Sequence, residues 1–345
     1  MPSDGTPLSA LVAGTRMLAL VGLAKNTGKT ETLAALLREH AAAGRPVGVT
    51  SIGRDGEERD VIDARIEKPR VQLQAGDLVA STSSLLRASG VAHERLSRTG
   101  VRTPLGEVVL ARMTKPGSVE VAGPSAAADL RSVGEEMLLL GAEQALLDGA
   151  IDRRAASSPA VADGLVMATG AILGEDIEDV VRATSEAVDV VRLPAADDGS
   201  ERDGDDAHVA LARRLVLGAD PGEIAALLSE HPQARTLSVD GALGEPFLEG
   251  LLAARRERAG RELRIVVADP TKVFLTRRGV RWFQRQGVSI EVRRTIALKA
   301  ITVNPVAPQS HRFDSAQLRE LIAAAVPDDI PVLDVLDESY LALAK

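Results

Sequence analysis

The sequence predicts an α/β protein whose main body is a mostly parallel sheet, with a β-rich insertion and a second, smaller α/β domain. Three observations lead there. Short apolar runs alternate with longer helical periods, the first apolar run opens into a glycine-framed loop that starts a helix, and an acidic, glycine-bearing stretch divides the 345 residues.

The first strand is Met17-Leu18-Ala19-Leu20-Val21, and the loop is Gly22-Leu23-Ala24-Lys25-Asn26-Thr27-Gly28-Lys29-Thr30. Residues 31–43 read as a helix with Leu33, Leu36 and Leu37 on one face and Gly44 as its stop. A second buried strand over 47–52 completes a β–loop–α–β unit with parallel strands. It ends in the polar turn Gly53-Arg54-Asp55-Gly56-Glu57-Glu58, at the sheet edge where open α/β sheets bind ligands.

From about 69 to 124 the helical period fades into short alternating runs, read as an insertion with a hairpin of 108–113 and 118–122 around Thr114-Lys115-Pro116-Gly117. A helix over 126–140, a strand over 144–147 ending in Asp148-Gly149, a strand over 165–169 and a helix over 177–191 follow. Residues 195–207 read as an acidic linker. Beyond it β and α patterns alternate at 236–239, 247–256, 263–268, 273–286, 289–292, 300–303, 317–325 and 332–335. The expected organisation is a nucleotide-binding domain over 1–194, the linker, and a C-terminal α/β domain over 208–345.

Composition narrows the function classes. The net charge of −8 and only six aromatic residues (Phe, Trp and Tyr together) argue against a phosphate-backbone or base-stacking surface, so no nucleic-acid role is expected. With no cysteine there is no disulfide, no zinc-thiolate site and no thiol catalysis. The apolar run over 17–23 is far too short to span a bilayer and no secretory signal is apparent, so a cytoplasmic protein without a membrane partner is expected.

The loop carries the chemistry. A strand running into Gly-x-x-x-x-x-Gly-Lys-Thr and then a helix matches a phosphate-binding loop, the signature of a P-loop NTPase. Backbone N–H groups of Gly22 and Lys25, Asn26, Thr27, Gly28, Lys29, Thr30 and Glu31 would cradle phosphates, Lys29 would reach the β and γ oxygens, and the Thr30 hydroxyl would hold Mg2+. The strict pattern puts glycine at 23, where this chain has Leu23. Triphosphate chemistry also needs a carboxylate at a strand end to orient magnesium. Asp148 is the first choice, although aspartate also caps strand ends. Asp55 is the second, as a metal ligand or water-polarising group, or else simply part of a hydrated turn. Lys25 would reach a γ-phosphate within its own protomer or across a homodimer. No Asn-Lys-x-Asp or Thr-Lys-x-Asp segment reads guanine, so ATP is expected over GTP. Asp240-Gly241, Asp269-Pro270-Thr271-Lys272 and Asn304-Pro305 each follow a strand and would line a crevice near His311, or serve as ordinary turns.

The loop spacing is similar to the dethiobiotin-synthetase-like branch of P-loop proteins. More of the chain resembles the small P-loop subunit (KamB-like) of the lysine 5,6-aminomutase reactivase, through Gly22 to Thr30, Thr50-Ser51-Ile52-Gly53-Arg54-Asp55-Gly56-Glu57-Glu58, Thr103-Pro104-Leu105-Gly106-Glu107-Val108 and Asp148-Gly149-Ala150-Ile151-Asp152-Arg153. That resemblance covers roughly the first 175 residues. It implies an ATPase that works with a larger ATPase subunit to reactivate an adenosylcobalamin-dependent aminomutase. The alternatives are a dethiobiotin-synthetase-like ligase, with substrate held by 107–125, and a nucleotide-sensing binding module.

Overall fold

A computed structural model describes residues 6–52, 70–150, 156–197, 207–211, 216, 221–255, 262–308 and 310–343. The chain forms two compact units, one of residues 1–184 with 297–345, the other of residues 185–296. In chain order the elements begin α1 (Leu8–Leu11), β1 (Met17–Gly22), α2 (Lys29–Ala42), β2 (Val47–Ser51), β3 (Val71–Leu73), β4 (Leu78–Thr82), α3 (Ser83–Ala88), β5 (His93–Thr103), β6 (Gly106–Met113), β7 (Gly117–Val119), α4 (Ala127–Leu139), β8 (Gln144–Ala150), β9 (Gly164–Gly170) and α5 (Ile177–Val191). They continue with β10 (His208–Leu211), α6 (Pro221–Glu230), β11 (Thr236–Val239), β12 (Leu243–Gly244), α7 (Glu245–Arg255), β13 (Leu263–Val267), β14 (Val273–Phe274), α8 (Val280–Arg285) and β15 (Val288–Val292). Last come β16 (Ala297–Asn304), α9 (Ser315–Ala325), β17 (Val332–Leu333) and α10 (Glu338–Leu343).

The first unit holds a nine-stranded sheet in the order β17-β16-β9-β1-β8-β2-β4-β6-β5. Its first seven strands are parallel, and β6 and β5 add an antiparallel edge. Every residue of β1 and β9 is buried, which is why these strands read as unbroken apolar runs: both faces of the sheet are covered. On α2, Leu33, Leu36 and Leu37 supply the core face, as their spacing predicts. Each such leucine contributes about 1.5–3 kcal/mol of burial.

The second unit is a four-stranded parallel sheet in the order β10-β11-β13-β15, beside the short parallel pair of β12 and β14. Its core gathers Leu237, Ile265 and Ile290 around Phe247 and Phe283. No helix among the described residues is long and apolar enough to cross a membrane.

Four expectations are corrected. The domain over 208–345 is not one body: residues 297–345 return to the first unit, because the apolar strand β16 pairs with β9 along its length and β17 adds outside it. The linker expected over 195–207 begins as part of the second unit, where Ala195 bridges Val292 and the Ala196 N–H donates to the Val292 carbonyl. Within the β-rich insertion, residues 108–113 and 118–122 do not form one hairpin. Strand β6 sits between β4 and β5, with Val108 to Ala111 buried, whereas β7 pairs with β3. In addition, the helix expected over 273–286 is β14, a turn and the short α8, since Glu245 captures the N–H groups of Thr276 and Arg277.

Candidate functional site

The loop after β1 sits at the carboxyl edge of the large sheet, between the ends of β8 and β9. Leu23 still belongs to the ladder, its N–H donating to the Ala168 carbonyl at 3.0 Å. The loop then folds back so tightly that a Cβ at Gly22 would lie 2.6 Å from Thr27 Oγ1. The glycine displaced from 23 to 22 is therefore the position where this loop needs the space. Thr27 is buried and donates to the Ala24 carbonyl at 3.0 Å, closing the turn from inside. Asn26 is left-handed (φ 67°) and Gly28 likewise (φ 87°), which turns the chain into α2.

No side chain caps the start of this 14-residue helix. Its first N–H groups and its dipole therefore face the loop mouth, an arrangement suited to phosphate oxygens. Lys25, Asn26, Thr30 and Glu31 are exposed there. Lys29 Nζ donates to Asp148 Oδ1 in an ion pair whose side chains keep 22% and 29% exposure. Asp148 lies opposite Leu20 of β1 and Ser51 of β2, and the Ile52 N–H donates to its carbonyl. Ser51 Oγ donates to the Val121 carbonyl at 3.1 Å and accepts the Gly123 N–H, laying the end of the insertion beside the strand that flanks Asp148.

The structure thus brings together Gly22, Lys25 to Glu31 and Asp148. Asp55 and Arg54 lie outside the described residues. Asp240 and Asp269 follow strands of the second unit and Asn304 a strand of the first, so each is described with its own sheet. His311 packs at a tilt against the Phe313 ring and bonds Ser310. Among the described residues no group of three or more His, Cys, Asp or Glu could hold a metal ion by itself. Thr30 and the single carboxylate of Asp148 suit magnesium, which keeps waters and takes substrate phosphates as ligands.

Strand β16 brings two residues to the loop, Asn304, which the sequence placed in a crevice with Asp240 and Asp269, and Thr302, which the sequence did not single out. Asn304 Nδ2 donates to the Asn26 carbonyl at 3.0 Å, and Thr302 Oγ1 bonds Thr32 Oγ1 at 2.7 Å. Thr32 Oγ1 also bonds the Gly28 carbonyl at 3.1 Å. The available signal was the short run Ala300-Ile301-Thr302-Val303 before Asn304, all four residues of which are buried. No family model, curated protein or solved structure matches the chain.

Proposed function

We propose that the chain is a P-loop NTPase that binds ATP with magnesium at the Gly22–Thr30 loop and hydrolyses it. The observation that carries this reading is the Lys29–Asp148 ion pair at the mouth of a glycine-framed loop opening an uncapped helix. The pair holds one cation and one anion ready for exchange. With ATP bound, Lys29 would face the β and γ oxygens, and Asp148 and Thr30 would hold the magnesium. Magnesium, when bound, neutralises charge on those oxygens. The N–H groups of the loop and of the first α2 turn hold the phosphates in line for attack by water. The water oxygen bonds the γ-phosphorus as the bond to the β–γ bridging oxygen breaks, giving ADP and phosphate.

The resemblance of the first 175 or so residues supports a use for this energy, in which the chain works with a larger ATPase subunit to reactivate an adenosylcobalamin-dependent aminomutase. The Ser51 contact with Val121 and Gly123 favours a second reading, a dethiobiotin-synthetase-like ligase whose substrate lies along the insertion.

Steady-state ADP release, titrated with magnesium, tests the site. Asp148→Asn is expected to lower turnover about 100-fold while the circular dichroism spectrum is retained. Equal turnover across the magnesium titration would transfer the role away from Asp148. Stimulation by the mutase supports the reactivase reading, whereas dependence on an added diamine and bicarbonate supports the ligase.

A further inference from the structure

We propose that Asn304 is the positioning residue of the loop, a latch that holds the Asn26 peptide so that the loop N–H groups stand in their anion-accepting arrangement before nucleotide arrives. The inference rests on the nucleotide reading above for its purpose, and on geometry for its substance.

Asn304 ends β16, in the same sheet as the loop strand. Its Nδ2 donates to the Asn26 carbonyl at 3.0 Å while its Oδ1 accepts the Val306 N–H at 3.1 Å. The amide cannot turn over without losing both bonds. Its seat is cut by two glycines: a Cβ at Gly28 would lie 2.9 Å from Asn304 Cβ, and one at Gly170 would lie 2.5 Å from the Asn304 carbonyl oxygen. Asn26 is the only non-glycine residue with positive φ among the described residues. Such a conformation persists only where its surroundings hold it, and the bond from Asn304 is made to that residue's own carbonyl. Two residues earlier, Thr302 grips Thr32, which in turn holds the Gly28 carbonyl. Strand β16 therefore restrains the loop at Asn26 and again, through Thr32, at Gly28.

No other side chain serves equally. Aspartate keeps the acceptor for Val306 and loses the donor to Asn26; serine is too short and glutamine is a methylene too long for the seat. One neutral hydrogen bond at a part-exposed position corresponds to about a 3- to 10-fold effect.

The test compares the full-length protein with its Asn304→Asp and Asn304→Ala variants in two measurements. The first is amide hydrogen exchange of the peptide covering residues 22–30, without nucleotide. Exchange is expected to quicken about 3- to 10-fold in both variants, with peptides from β8 and from the second unit unchanged. The second is calorimetric titration with magnesium and ATP, where affinity is expected to fall by at least the same factor. Lys29→Ala, run alongside, should lose nucleotide affinity and keep the loop exchange of the unsubstituted protein. Unchanged loop exchange in both Asn304 variants overturns the latch even if affinity drops, since Asn304 would then act on the nucleotide itself. Faster exchange throughout the first unit also overturns it, as a general loss of packing. A protein that binds no ATP defeats the nucleotide reading alone, because the exchange comparison still decides the latch.

Discussion

The two parallel sheets of this chain use the same ingredients to different ends. In the first unit β1 lies between β8 and β9, and the chain leaves β1 toward β2 but leaves β9 toward β16 on the other side. The strand order thus reverses beside β1, where neighbouring connections diverge and open a crevice. In the second unit β10, β11, β13 and β15 lie side by side in chain order, with no reversal. Each sheet has an aspartate near a strand's carboxyl end, Asp148 two residues before the end of β8 and Asp269 two residues after the end of β13. Asp148 remains part-exposed and faces a lysine from another element. Asp269 is 2% exposed; its Oδ1 accepts the Thr271 N–H at 2.9 Å and the Thr271 hydroxyl, and its Oδ2 lies 3.9 Å from the Arg294 guanidinium. Both acids have a cation from another segment, so what separates them is topology and exposure: Asp148 stands part-exposed beside the reversal of strand order, whereas Asp269 is buried in a turn.

That contrast can be broken most sharply at Glu245, another buried carboxylate of the second unit. Its Oε2 accepts the N–H groups of Thr276 and Arg277 and the Thr276 hydroxyl, each at 2.8 Å. Glu245→Ala should lower the stability of the second unit by about 2–3 kcal/mol by leaving those donors unpaired. Denaturant unfolding followed by the fluorescence of Trp282, the single tryptophan, measures it. Nucleotide affinity is expected to stay as it was; a loss of affinity at equal stability would give the second unit's acids a functional role.

A smaller effect lies at the opposite, amino-terminal edge of the large sheet. His40 is buried and bonds Gln144 at 3.2 Å. Burial first, then the nearby Arg45 charge, holds its pKa below the ordinary 6.5, against the opposing pull of Gln144, Glu143 and Glu39. The unfolded chain therefore takes up this proton first as pH falls. His40 contributes fully above about pH 6.5, and its contribution is lost as pH drops from there toward the folded value. Neighbouring Asp77 runs the other way, burial raising its pKa. Stability measured by chemical denaturation at pH 7.5 and 5.5 should fall less in His40→Gln, which keeps an N–H donor toward Gln144, than in the unsubstituted protein. An equal fall in both would show that other groups control the acid response.

Much of this was legible because the decisive signals are local. Strand, loop and helix around Gly28, the apolar approach to Asp148, and the helices carrying Leu33 and Val180 follow from residues within one or two turns of each other. The place of β16 was not legible in this way. Its apolar run marks a buried strand, but its partner β9 lies on the far side of the whole second unit in sequence, and pairing over such a separation leaves no local trace. The same distance hid the partner of Asn304: its Asn-Pro sequence reads as a crevice residue or a turn, and nothing local points to the Asn26 carbonyl. The segment expected as helix over 273–286 failed for a related reason: a long-range acceptor, Glu245, competes for the N–H groups a helix would use.

The central claim is that the Lys29–Asp148 mouth of the Gly22–Thr30 loop is a nucleotide phosphate site. Calorimetric titration of the full-length protein and its Lys29→Ala variant with ATP and magnesium tests it most directly. Removing the cation that faces the phosphates should weaken binding at least about 100-fold. Equal affinity in the two proteins would contradict the site.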